Sequence, residues 1–491
     1  MAADLRFLLD TNVIIQFEEV GSNREIKSDF QKLHHLLSKH SLSFAYHPLT
    51  ENDLENDKDS GRQKEMLSRL RKYPLLDSPP TLAGNELEKK YGGINSTNDL
   101  IDCQLLFAVS RGCATYLITE DRGIHRRAEN AGLDDRVIYV GDAIDLITRQ
   151  FQPQTVQLPN IDHEHLYNLD LELPFFDSLK DDYDEFETWI LDNANRRCWS
   201  IKVGSDLAGL CIYKHDEAQE HSGITLPSVK LCTFKVSEGH NGRKFGELLL
   251  KMAFNYATRN HITSIWVTAH EKQVKLIQFL RKFGFLVHKD LKKKDMIFYK
   301  LMQPPAGLPE MKPLDFHILY SPHLLEGIPV RKFVVPIQSS FHDILFPEVA
   351  PQLGLGGFVE GDSIPGNTIR KVYLSHSPIK EIPAGSIILF YRSAPEQYIR
   401  TRAIVERARR LTDMESLAAA IGKRSVYSLK QVNEMIEKEV LVIDFRLVDH
   451  LETPIPLKEL VSNKIFNNRP PQSIMEISDE RYSSFKGLRQ S

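Results

Sequence analysis

The stretch Phe7-Leu8-Leu9-Asp10-Thr11-Asn12 constrains the fold more than any other part of this chain. An unbroken apolar run reads as a strand buried on both faces, which is the habit of parallel sheets rather than of half-exposed antiparallel ones. In an open α/β sheet the carboxyl ends of the strands are where ligands bind. Asp10 stands where this strand stops, so it is expected at a binding edge. An Asp that only caps the following helix is the plainer alternative.

The same pattern returns downstream. Ala114-Thr115-Tyr116-Leu117-Ile118-Thr119 is a second apolar strand, and it runs into Glu120-Asp121. Asn98-Asp99-Leu100-Ile101-Asp102 opens a helix-periodic run through Leu105, Leu106 and Val109. A spacing of three places Asp99 and Asp102 along one face of its first turn. Glu51 and Asp53 follow His47-Pro48-Leu49-Thr50, which reads as a strand end entering a helix. Carboxylates gathered at one sheet edge repel each other unless a cation neutralises them. Oxygen-only donors suit Mg²⁺ or Mn²⁺, and such ions can activate a water against a phosphodiester.

Over roughly residues 5–148 these motifs resemble the PIN-domain ribonucleases. The resemblance implies an α/β/α parallel sheet and metal-dependent cleavage of RNA. It assigns catalytic roles to Asp10, Asp53, Asp99 and Asp121, with Glu51 competing with Asp53 for the second acidic position. The metal-binding set it implies is Asp10, Asp99, Asp121 and, as a fourth ligand, Asp102. A PIN-type fold that binds RNA without cutting it is the alternative, and an antitoxin-like protein partner is compatible with either.

The chain's 491 residues suggest about three domains. A 42% hydrophobic and 26% charged composition is that of a globular protein, and no window approaches a membrane span. Asp4, Arg6 and Asp10 interrupt any signal-peptide pattern. The five cysteines are scattered and form no CxxC pair, so neither zinc nor a disulfide framework is expected, and a cytoplasmic setting follows. A net charge of −4 restricts any nucleic-acid site to a local patch. His34, His35 and His125 read as surface or packing histidines rather than ligands. The joints lie at Gln152–Pro159 and Gln303–Pro309, where prolines and glycine stop regular structure. The expected units are 1–150, 165–302 and 312–480.

In the middle unit, Cys198–Val203 and Leu207–Tyr213 read as a strand pair around Gly204-Ser205-Asp206. Val229–Val236 is a further strand. It runs into Gly239-His240-Asn241-Gly242-Arg243-Lys244-Phe245-Gly246 and then an amphipathic helix. A glycine-rich loop at a helix start presents backbone N–H groups and a positive dipole end, which together cradle an anion. With the strand at Ser264–Thr268 and the helix ending at Gly284, the order resembles the GNAT acetyltransferase family over roughly 165–302. That resemblance implies acetyl-coenzyme A as donor, bound by Val236, Gly242, Arg243, Lys244 and Gly246, and an unidentified amine as acceptor. Two departures stand out. Lys244 replaces the usual central glycine, and Leu280 replaces the tyrosine commonly used as general acid, which leaves Tyr299 and His270 as candidate proton donors.

The last third reads as mostly strands, at Val330–Ile337, Ile369–Leu374, Ser386–Phe390 and Val440–Arg446, with a helix at Leu429–Lys438. Basic and aromatic residues interleave over Asn367–Leu374 and Ile387–Ser393, beside Arg400, Arg402, Arg407, Arg409 and Arg410. Such a surface stacks bases and pairs phosphates. The same residues also read as core aromatics with a solvated arginine face. The pattern is similar to PUA-like β-barrels of the ASCH and EVE type. The combined expectation is an α/β multidomain chain that couples an N-acetyltransferase to a PIN-type endoribonuclease acting on RNA, with tRNA as one candidate, or on an RNA-bound amine. The competing expectation is a protein or small-amine acetyltransferase whose flanking units only bind. A third is an RNA-binding regulator that senses acetyl-coenzyme A without consuming it.

Overall fold

The computed structural model describes residues 5–18, 28–55, 60–151, 160–216, 224–237, 240, 243–271, 273–289, 295–327, 329–350, 364–421, 424, 426–427, 429–467 and 469–490. The chain divides into two compact units, one of residues 1–154, 238–243 and 411–440, the other of 155–237, 244–410 and 441–491.

The first unit is built on four strands, β1 (Arg6–Leu9), β2 (Ser43–Tyr46), β3 (Tyr116–Ile118) and β4 (Val137–Ile138). They run in the order β2-β1-β3-β4, and every adjacent pair is parallel. Helices cover both faces, which is why Leu8 and Leu117 pack into one apolar cluster while Phe7, Leu9 and Ile118 pack into the other. The short helix Met414–Ile421 belongs to this unit: Ala418 enters the Phe7–Tyr116 core and accepts a hydrogen bond from the Tyr116 hydroxyl. Arg136 donates to Glu415 at 3.0 Å. Residues 411–440 are therefore an excursion out of the C-terminal sheet, and the helix expected at Leu429–Lys438 ends at Met435.

The second unit holds two sheets. The first contains β5 (Asn160–His165), β6 (Arg197–Val203), β7 (Asp206–Asp216), β8 (Ser228–Val236), β9 (Ser264–His270), β10 (Leu286–Lys289) and β11 (Asp295–Leu301). Their order is β10-β11-β9-β8-β7-β6-β5, antiparallel except for β8 against β9. Because β5 pairs with β6, this sheet starts before residue 165. The helix Phe245–Arg259 buries Leu249, Leu250 and Ala253 against it, together with Leu231, Ile265 and Leu280.

The second sheet contains β12 (Lys332–Ile337), β13 (Arg370–Ser375), β14 (Ile387–Arg392), β15 (Tyr398–Leu411), β16 (Val440–Pro456) and β17 (Met475–Ile477), in the order β13-β16-β15-β14-β12-β17. The final helix, Asp479–Gln490, packs Tyr482 and Phe485 into its core, so this part of the fold continues past residue 480. The two sheets share packing. Ile369 sits in the core of the first sheet. Gly284 combines a φ of +82° with so close an approach to the Ile318 carbonyl that a Cβ there would lie 1.8 Å from its oxygen. Only glycine meets both conditions.

Candidate functional site

β8 and β9 pair in parallel only from Ser228–Leu231 against Ser264–Val267. Beyond that point β8 continues to Val236 and β9 to His270 without pairing to each other, so the sheet opens into a splay. The register of β7 on β8 steps from Tyr213↔Leu231 to Ile212↔Thr233, leaving Cys232 as the extra residue of a β-bulge at the mouth of this splay. Bulges re-aim backbone groups and gather beside functional sites. Sequence carried no signal for this one. Lys235, past the bulge, donates from Nζ to the Phe175 carbonyl at 2.5 Å and the Ser178 hydroxyl at 2.6 Å, which ties the segment before the helix Asp177–Asp182 to this edge.

From β8 the chain enters the Phe245–Arg259 helix through Lys244, whose backbone is left-handed at φ 61° and ψ 22°. Glycine is the usual choice for such a position, and a lysine there costs about 1–2 kcal/mol. Gly246 lies in the first turn, with Phe279 and Phe234 the nearest side chains to an added Cβ. The first-turn amides of a helix have no carbonyl one turn earlier, which is why a helix start of this kind suits an anion. Val236 is the last residue of β8, paired with Gly209. Arg243 precedes Lys244 in the same loop, and Gly242 lies outside the described residues.

Leu280 is fully buried in the apolar core and has no acid–base capacity. Tyr299 stands opposite Trp266, level with the closed part of the β8–β9 pair and away from the splay. His270 ends β9 at the splay's mouth, its backbone N–H bonded to the Gln273 side chain at 3.0 Å.

In the first unit the carboxyl ends of β1 and β3 bring Asp10, Asp102 and Asp121 within electrostatic reach of one another. Asp10 is buried. Its oxygens accept from the Thr11 amide at 2.7 Å, Asn12 Nδ2 at 2.7 Å and the Thr119 hydroxyl at 2.5 Å. Asp121 caps the helix Arg122–Asn130 by accepting from the Gly123 and Ile124 amides at 2.5 and 3.1 Å. Asp99 accepts from the Asn95 amide and from Arg127 Nη2, both at 2.8 Å, and these bonds hold its carboxyl below the usual range. Asp102 is pushed up to about 8 by burial and then by the charges of Asp10 and Asp121. Glu51 accepts from the Tyr46 hydroxyl at 3.0 Å, and the side chain of Asp53 lies outside the described residues.

Among the described residues, no group of three or more His, Cys, Asp and Glu side chains is arranged to hold a metal ion. Of the expected metal set Asp10, Asp99, Asp102 and Asp121, three members accept hydrogen bonds from amides, a hydroxyl or an arginine, and the charges of Asp10, Asp121 and Asp99 all act on Asp102.

The aromatic residues of the expected nucleic-acid surface are buried, whereas Arg407 is exposed. Phe390 and Tyr391 are core residues, and Tyr373 is buried with its hydroxyl on the Pro336 carbonyl at 2.8 Å. The arginines are engaged within the protein. Arg402 forks onto Asp449 and reaches Glu326, Arg407 and Arg409 share Asp444, Arg410 binds the Ser377 and Ile379 carbonyls, and Arg400 binds the Leu451 carbonyl. No described helix is long and apolar enough to cross a membrane.

Residues 163–285 match the model of the Acetyltransferase (GNAT) family. The chain holds a GNAT acetyltransferase domain over that span. No curated protein matches the chain. Among solved structures it is similar to the ASCH protein of Zymomonas mobilis, at 17% identity over 32% of this chain and 94% of that one, with a TM-score of 0.26. It is also similar to the PaiA N-acetyltransferase of Thermoplasma acidophilum in complex with coenzyme A, at 19% identity over 30% of this chain and 99% of that one, with a TM-score of 0.24. A third is the IAA acetyltransferase of Bacillus cereus, at 15% identity over 29% of this chain and 99% of that one, with a TM-score of 0.24.

Proposed function

We propose that the protein is an acetyl-coenzyme A-dependent N-acetyltransferase working in the β8–β9 splay. The observation that carries this is the continuity of the open splay, the Cys232 bulge and the cradle entered through Lys244. The amides of the first turn, with Arg243 and Lys244, hold the donor's pyrophosphate, while Val236 lines its pantetheine arm. The acceptor's uncharged nitrogen attacks the acetyl carbonyl carbon. The new C–N bond forms as the C–S bond breaks, and coenzyme A leaves as the thiol, carrying one proton. His270 takes the proton that the attacking nitrogen loses and returns it to the departing thiolate, the donor role that Leu280 cannot fill. Thiol release from acetyl-coenzyme A across a panel of amines, in wild type and His270→Ala, tests this reading. Amine-independent background rates in both would refute it.

A second reading concerns the first unit, whose motifs resemble PIN-domain ribonucleases, and the resemblance alone points to RNA. Asp102, a carboxyl pushed up first by burial and then by the charges of Asp10 and Asp121, is a functional-site candidate of the first unit. RNA, tRNA among the candidates, is then the substrate. Cleavage of total RNA with Mn²⁺ or Mg²⁺ by wild type, and its loss in Asp10→Asn/Asp102→Asn, is the result this reading requires.

A further inference from the structure

Glu247 occupies the third position of the Phe245–Arg259 helix. A glutamate there ordinarily folds back onto the helix's own N-terminal amides and neutralises the positive end of its dipole. In this chain one of its carboxylate oxygens is committed elsewhere. Its Oε2 accepts from the backbone N–H of Ile369 at 3.1 Å and of Arg370 at 3.4 Å, where the chain enters β13. The residue is 6% exposed; burial lowers the pKa values of the neighbouring basic groups Lys251, Lys371 and Arg446, and the charge of Glu247 raises each in part. One turn later the buried Lys251 repeats the connection, donating to the Gly366 carbonyl at 2.9 Å and pairing with Glu348. Ile369 itself packs into the apolar core under the same helix. The first turn is thus fastened to the β13 segment by a carboxylate on two amides, an ammonium on a carbonyl and a buried isoleucine.

Two consequences follow for an anion bound at the helix start. A carboxylate aimed at the helix start would repel the donor's pyrophosphate, whereas the Glu247 oxygen that accepts from the Ile369 and Arg370 amides is directed away from it. The pitch and position of the first turn are also set from outside the GNAT sheet. We propose that Glu247 is a positioning residue for the acetyl donor, and that the β13 sheet is through it a working part of the donor site. This rests on the acetyl-transfer reading above.

The experiment is calorimetric titration of coenzyme A into the full chain as wild type, Glu247→Ala and Glu247→Gln, with steady-state kinetics and thermal melts on the same samples. Glu247→Ala is expected to weaken coenzyme A binding and raise the acetyl-coenzyme A KM about tenfold, with kcat at saturating donor within about twofold. Glu247→Gln keeps a carbonyl acceptor for the two amides and is expected to stay within about threefold of wild type. Hydrogen exchange should quicken in peptides covering both 245–248 and 366–372 of the alanine variant. Unchanged coenzyme A affinity in a folded Glu247→Ala protein would overturn the proposal, as would an equal loss in the glutamine variant. Wild type that binds no coenzyme A would overturn the acetyl-transfer reading as well.

Discussion

Arg127 donates to Asp99 at 2.8 Å, and that bond separates two carboxylates one helical turn apart into different roles. Arg127 also binds the Tyr91 and Gly92 carbonyls, at 3.3 and 3.2 Å, so it is fixed by the chain before it meets Asp99. Asp99 becomes a structural acceptor, while Asp102 faces Asp10 and Asp121. Asp99→Asn should therefore lower stability by no more than about 1 kcal/mol, this being a partly exposed pair. On the proposal that the first unit cleaves RNA, it should leave more cleavage than Asp102→Asn does. Parallel melts and cleavage assays decide it, and the reverse ranking would return Asp99 to the active set.

Lys244 is held at a φ of 61° without being glycine. Lys244→Gly should raise stability by about 1 kcal/mol, because the left-handed penalty exceeds the entropy glycine adds to the unfolded chain. If Lys244 also contacts the donor phosphates, the same variant binds coenzyme A more weakly while melting higher. A lower melting temperature would show that the lysine side chain does more for the fold than its backbone costs.

Burial holds His317 and His450 down to about 3 and His342 down to about 4. A histidine kept neutral when folded binds fewer protons than in the unfolded chain, so stability is complete above about pH 6.5 and falls as the pH drops towards 4. Each can contribute up to about 2 kcal/mol of loss between pH 6.5 and 5. His450→Gln should melt with a smaller difference between pH 7 and pH 5 than wild type. Identical differences would remove His450 from this account.

Arg402 donates to Asp449 at 2.8 and 2.5 Å and to Glu326 at 3.1 Å, and it is 5% exposed. Removing one member of a buried ion network strands the others, so Arg402→Gln should cost about 3 kcal/mol. Chemical denaturation measures it. A stable variant that loses RNA binding would instead restore the arginines as a nucleic-acid surface.

What the sequence reveals and conceals follows physical lines. Apolar runs ending in carboxylates at Asp10 and Asp121 are local signals, and the strands stand where they point. The passage from β8 into the Phe245–Arg259 helix is equally local, since a strand, a glycine loop and an amphipathic helix adjoin in the chain. Asp99 against Asp102 is not local, because the deciding arginine lies 28 residues from Asp99. Interleaved arginines and aromatics look alike whether they face solvent or partners such as Asp444 and Asp449, which come from a later strand. The placing of Met414–Ile421 in the first unit rests on contacts spanning 279 and 302 residues, with no signature in either segment.

Gly246→Asp tests the acetyl-transfer account most directly. An added Cβ there meets Phe279 at 3.5 Å, an ordinary contact, and an acid in the first turn favours the helix itself. The substitution therefore preserves the fold while setting a negative charge in the anion cradle. The measurement is amine-dependent thiol release from acetyl-coenzyme A by the full chain. The account predicts release by wild type and a KM for acetyl-coenzyme A at least about tenfold higher in Gly246→Asp, at an unchanged melting temperature. Equal KM values in the two proteins would contradict it.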